Sequence, residues 1–212
     1  MEIKVLLNGV HHHYEKDGIN YIDDITGTVG LIKAEGKNIV VDCGNPAYKE
    51  ELISALKENA LTPKEIDYII ITHLHFDHIA NYYLFENAKI IEGKVVNDFK
   101  NNFYTIYKDI KNIPLPKGIE IINTPGHVLP HFSVIVEKDN KKIVFSGDAV
   151  RKEMLDEDYV PVGEDISKMI DSALKICEVA EEIIPGHGAI LKKEEIGKIK
   201  NNLLKIKQGE VA

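Results

Sequence analysis

Apolar residues fall along the chain in two patterns. Short runs at 3–7, 28–34, 38–41, 66–71, 88–91, 119–122, 132–137, 142–145 and 183–184 are bounded by Gly, Pro, Asn or Asp, and predict strands. Glu35-Gly36-Lys37 and Asp139-Asn140 predict two hairpin turns. A three-and-four spacing predicts helices elsewhere. Leu52, Ile53, Leu56 and Ala60 share one face of a helix that opens at Asn45-Pro46 and runs to about Asn59. Ile166, Met169, Ile170, Ala173, Ile176, Cys177 and Ala180 form a buried stripe from Asp165 onward, and Ile196, Ile199, Leu203 and Ile206 form the stripe of a closing helix. Thr62-Pro63-Lys64-Glu65 is a capping box that delivers the chain into the apolar strand at 66–71, and 79–85 predicts a short helix. Two stretches resist this treatment. Residues 9–27 are polar and predict a flap, and 94–113 lack a clean period and read as helical or irregular.

Composition narrows the class. The chain has 212 residues, 44% of them hydrophobic, enough for one domain spanning 1–212 with a sizeable core. A formal charge of -8 argues against binding to nucleic acid or to an anionic membrane. No apolar run reaches the length of a membrane span and no leader is visible, so a cytoplasmic location is expected; the oligomeric state stays open, a homodimer included. Cys43 and Cys177 lie far apart without a CxxC pattern and read as small buried residues.

The chemistry concentrates at strand ends. Thr72-His73-Leu74-His75-Phe76-Asp77-His78 follows the run at 66–71, His127 follows 119–122, Asp148 follows 142–145, and His187 follows 183–184. Imidazole and carboxylate without thiolate suit zinc, iron or manganese. Five histidines and two aspartates are too many for one tetrahedral ion, so two divalent ions sharing a bridge are expected. The three adjacent histidines His11, His12 and His13 read as solvent-exposed.

Val41-Asp42-Cys43-Gly44, THxHxDH at 72–78, TPGH at 124–127, Ser146-Gly147-Asp148 and Pro185-Gly186-His187-Gly188 together resemble the metallo-β-lactamase fold superfamily, the hydrolases of glyoxalase II and lactonase type. The resemblance implies an α/β fold, a four-layer αββα sandwich of two mixed β-sheets flanked by helices. It further implies that His73, His75 and His127 hold one ion and Asp77, His78 and His187 a second, with Asp148 between them. Asp42 is then expected behind the ligands as a hydrogen-bond acceptor, and His131 as a support for the wall rather than a ligand. Arg151 stands where lactonase relatives carry a tyrosine. Either it recognises a carboxylate or phosphate on the substrate or it is a solvated surface residue.

The expected function is a hydrolase of a small-molecule ester, thioester or lactone, using hydroxide held between two metal ions, most simply zinc, with Asp77 orienting it or passing a proton. Three alternatives share the scaffold: a phosphodiesterase or ribonuclease, a mononuclear iron persulfide dioxygenase, and a metal-binding module without catalysis.

Overall fold

The computed structural model describes residues 1–209. In chain order the regular elements are β1 (Glu2–Leu7), β2 (Val10–Lys16), β3 (Ile19–Thr26), β4 (Val29–Ala34), β5 (Lys37–Val41), α1 (Lys49–Glu58), β6 (Tyr68–Ile71), α2 (Phe76–Ile79), β7 (Lys89–Glu92), β8 (Val95–Asp98), β9 (Phe103–Ile106), β10 (Ile119–Asn123), β11 (Phe132–Lys138), β12 (Lys141–Gly147), α3 (Ile166–Val179), β13 (Glu182–Pro185), β14 (Leu191–Lys192) and α4 (Lys193–Gln208). One mixed sheet runs β1-β4-β5-β6-β7-β8-β9, a second runs β10-β11-β12-β13-β14, and β2 and β3 form a separate two-stranded ribbon.

Side-chain alternation turns these sheets into four layers. In β6, Ile69 and Ile71 pack toward Leu52 and Leu56 of α1, while Ile70 points the other way. In β12, Val144 packs toward α3 and α4, and Phe145 points inward. The inward set, including Ile39, Val41, Ile70, Val134, Val136 and Phe145, fills the space between the sheets. The order is therefore helix, sheet, sheet, helices, as the resemblance implies. Both hairpin turns form where the sequence put them. Glu35 and Gly36, like Asp139 and Asn140, take left-handed φ at adjacent positions, as a two-residue turn matched to the strand twist requires.

Several expectations need correction. Residues 94–113 are not helical in the main: β8 and β9 extend the first sheet, and 3-10 turns at Phe99–Asn101 and Ile110–Asn112 connect them onward. The reason is that β9 is an edge strand whose Phe103, Tyr104 and Ile106 are all exposed, so no inward face imposes an alternation on the sequence. The flap at 9–27 is an ordered ribbon, with Tyr14 stacked on its cross-strand partner Tyr21. Residues 79–85 are shared between the end of α2 and a 3-10 turn at Tyr82–Leu84. Ala60 lies past the end of α1 with φ of 56°, leaving Leu61 rather than Ala60 in the core. Met169 is buried in the core, and no helix among the described residues is long and apolar enough to cross a membrane.

Candidate metal centre

Five strands that end on the same side carry the candidate residues. β5 and β6 are parallel, β12 and β13 are parallel, and β10 runs with β12 because both are antiparallel to β11. Their carboxyl ends lead into Asp42, Thr72 to His78, His127, Asp148 and His187. After His75 the chain turns at once into the single-turn helix α2, which presents Asp77 and His78 from its first turn. Gly186 is required at the fourth edge: a Cβ there would stand 2.0 Å from Asp148 Oδ1.

All seven candidate ligands converge. Three groups have their donor atoms within 4.8 Å of one another: His73, His75 and His127; Asp77, His78 and His187; and His73, His78 and Asp148. His75 Nδ1 lies 3.0 Å from His73 Nε2 and 3.2 Å from His127 Nε2. His187 Nε2 lies 3.3 Å from Asp77 Oδ2 and 3.5 Å from Asp148 Oδ2, and His78 Nε2 lies 3.4 Å from both Asp77 Oδ2 and Asp148 Oδ1. Asp148 Oδ2 is also 3.4 Å from His127 Nε2, so this one carboxylate reaches into both halves of the cage. Ligands about 2.0–2.1 Å from a tetrahedral zinc sit about 3.3 Å from each other, the spacing seen here.

The hydrogen bonds behind the cage fix the ring tautomers. Thr72 donates its backbone N–H to Asp42 Oδ1 at 2.8 Å and its hydroxyl to Asp42 Oδ2 at 2.7 Å. His73 Nδ1, 3.0 Å from the same hydroxyl oxygen, must then be the donor to it. His78 Nδ1 donates to Asp42 Oδ2 at 2.8 Å, and His187 Nδ1 donates to the Val10 carbonyl at 3.0 Å. In each neutral ring this leaves Nε2 with a free lone pair, aimed into the cage, which is the form that binds a metal. Asp77 Oδ2, His78 Nε2 and Asp148 Oδ1 are buried and have no hydrogen-bond partner among the described residues. One proton cannot serve three ring nitrogens as close as those of His73, His75 and His127; a cation can. The residues fit a metal.

Charge bears this out. Burial disfavours ionising Asp148, yet His78 and His187 beside it hold its carboxyl well below the usual range. Burial likewise opposes charge on His187, but the carboxylates of Asp148 and Asp77 beside it lift it to about 9. The carboxylates thus attract positive charge into the cage, and a proton takes that role when nothing else does. His73, which meets other imidazoles, is driven the opposite way by burial and then by His78.

Asp42, with φ of 55°, sits behind the ligands and accepts from both Thr72 and His78. His131 stacks on His73 with ring centroids 5.0 Å apart, yet offers neither nitrogen to the cage. Its Nε2 accepts from the Asp148 backbone N–H at 3.1 Å, so Nδ1 donates to Thr124 Oγ1, which is 2.8 Å from Ser133 Oγ; Ser133 in turn donates to the Ser146 carbonyl. With both nitrogens engaged and burial pushing it down to about 3, His131 is neutral. Arg151 is not a solvated surface residue, because its side chain keeps only 15% exposure. His11 is not free in solvent either: it is half-buried, with its ring 5.3 Å from that of His187, while His12 and His13 are exposed. Thr72, Thr124, Ser133 and Glu153 escaped the sequence reading. Thr72 and Thr124 were visible as the first residues of their motifs; Ser133 and Glu153 gave no signal.

Comparison with known proteins gives the family. The model of the metallo-beta-lactamase superfamily matches residues 22–187. A metallo-beta-lactamase domain-containing protein 1 of Xenopus laevis is 31% identical over 192 residues, which are 88% of this chain and 79% of that protein. A probable metallo-hydrolase of Methanocaldococcus jannaschii is 34% identical over 160 residues, 74% of each. Among solved structures, a Thermotoga maritima protein assigned to the metallo-beta-lactamases superposes with a TM-score of 0.68 at 21% identity, covering 90% of this chain and 98% of that one. Its fold, its array of histidines and aspartates and these relatives agree: the chain belongs to the metallo-β-lactamase superfamily of metallo-hydrolases.

Proposed function

We propose that the protein hydrolyses a small-molecule ester, thioester or lactone with two divalent metal ions, zinc first among the candidates. The observation that carries this reading is the division of the donor atoms: a histidine triple, His73, His75 and His127, and an aspartate-containing triple, Asp77, His78 and His187, with Asp148 within reach of both. Divalent ions in such a cage lower the pKa of water to about 7 and polarise a carbonyl oxygen.

The chain's own groups do the rest. Asp42 and Thr72 fix the ring orientations of His73 and His78. His131 holds the backbone N–H of Asp148 and so the position of its carboxylate. Asp77 Oδ2 has no hydrogen-bond partner among the described residues, which suits an acceptor that orients a water and carries its proton toward the leaving group. His75 is exposed, which supports an approach of substrate from that side, and a cavity of about 360 Å³ next to His187 is of small-molecule size.

Metal analysis of the purified protein, paired with a hydrolase screen, tests the reading. Two zinc ions per chain and turnover of esters or thioesters are expected, and Asp148→Ala should cost more than the roughly 10–100-fold typical of losing an outer hydrogen-bond partner. A single iron with oxygen consumption on a persulfide would overturn it.

A further inference from the structure

Arg151 is the only arginine in the chain and opens the 3-10 turn Lys152–Leu155, three residues beyond Asp148. Its Nε is buried without a hydrogen-bond partner among the described residues. Glu153 Oε2 stands 3.7 Å from it, too far to accept its hydrogen, and is likewise buried and unpartnered. A buried Nε and a buried carboxylate oxygen held side by side, each without a hydrogen-bond partner, are an arrangement that calls for a reason.

The surroundings supply one. Glu153, which stands beside the guanidinium, reaches the cavity next to His187. Glu153, His11, Lys152 and His187 line the same cavity of about 360 Å³. A group that took the place of the Glu153 carboxylate beside Arg151 would lie in that cavity, next to a candidate metal ligand.

Resting on the hydrolase reading above, we propose that Arg151 binds an anionic group of the substrate, a carboxylate or phosphate oxygen near the scissile bond, and that Glu153 is the internal carboxylate which this group displaces. The planar fork of arginine suits a two-point contact with such an anion. A neutral lactone would leave the pair as it stands, so the substrate class narrows to anionic esters and thioesters.

The zinc-loaded protein is assayed on 4-nitrophenyl hemisuccinate, neutral 4-nitrophenyl butyrate and bis(4-nitrophenyl) phosphate, and titrated calorimetrically with succinate and with inorganic phosphate. Arg151→Ala is expected to raise KM for the carboxylate ester, relative to the neutral ester, by about 10–100-fold, the size of a charged hydrogen bond, and to weaken succinate binding by a similar factor. Arg151→Lys restores part of the loss. Glu153→Gln lowers KM for the anionic substrate, a gain that a merely structural ion pair would not give. If the phosphate diester and inorganic phosphate respond in place of the carboxylates, the anion is a phosphate. Equal losses on charged and neutral substrates, or anion binding indifferent to both residues, overturn the proposal. If no ester is turned over while anion binding still depends on Arg151, the hydrolase reading fails and the anion site stands.

Discussion

Asp42 contacts no candidate ligand atom directly, yet it sets two of them. Its carboxylate accepts three hydrogen bonds, two from Thr72 and one from His78, and through the Thr72 hydroxyl it also fixes His73. Asp42→Ala frees the rings of His73 and His78 at once. The expected result is a fall of about 10–100-fold in metal affinity, measured by competition with a chromophoric chelator. His131 acts differently. Its loss in His131→Ala strands a buried Asp148 N–H and breaks the relay through Thr124 to Ser133, which should lower stability by about 1–3 kcal/mol in a denaturant titration. Metal stoichiometry should stay as in the wild type, since neither ring nitrogen faces the cage.

At the scale of elements, the ribbon of β2 and β3 is the part least tied to the core. Ile19 and Ile22 are more than half exposed, and the ribbon is tied down only toward its open end, where the Val10 carbonyl accepts from His187, Thr26 Oγ1 accepts from the Asn45 N–H and Asp24 accepts from the Tyr48 hydroxyl. Ile19→Ser with Ile22→Ser should therefore leave the unfolding free energy within about 0.5 kcal/mol of wild type, as is usual for surface positions. The same contrast explains what was legible in the sequence. β5, β6, β10, β12 and β13 carry a core face and announced themselves through it, and the ligand motifs stood at their ends because strand ends are where the backbone must leave the sheet. β9 and the ribbon have no buried face, so nothing in their sequence records their pairing. The approach of His11 to His187 and the placement of Glu153 against Arg151 depend on contacts between distant segments, and no local pattern encodes them.

For the molecule as a whole, metal and stability should be linked. A ligand present at about a thousand times its Kd stabilises the state that binds it by about 4.1 kcal/mol, so stripping the metal with chelator should lower the melting temperature, and restoring it should reverse the change. The linkage has a sign in pH. His187, raised to about 9 in the metal-free cage, carries a proton at neutral pH and must lose it to bind a metal. Apparent metal affinity should therefore climb as pH rises toward 9 and fall as it drops, with protons released on binding; calorimetry in two buffers of different ionisation heat measures that release.

The donors come from both sheets: residues 73–78 from the first, His127, Asp148 and His187 from the second. A bound ion is then a rivet through two plates that are also joined by the Phe132 N–H donating to the Thr72 carbonyl at 2.8 Å and by the apolar layer containing Ile70, Val134 and Phe145. Any shear between the plates misaligns the rivet holes. Trimming an interior side chain of this layer that is not itself a ligand, as in Val134→Ala, should loosen the grip on the ion, read as a lower metal affinity, even though the cage residues are untouched.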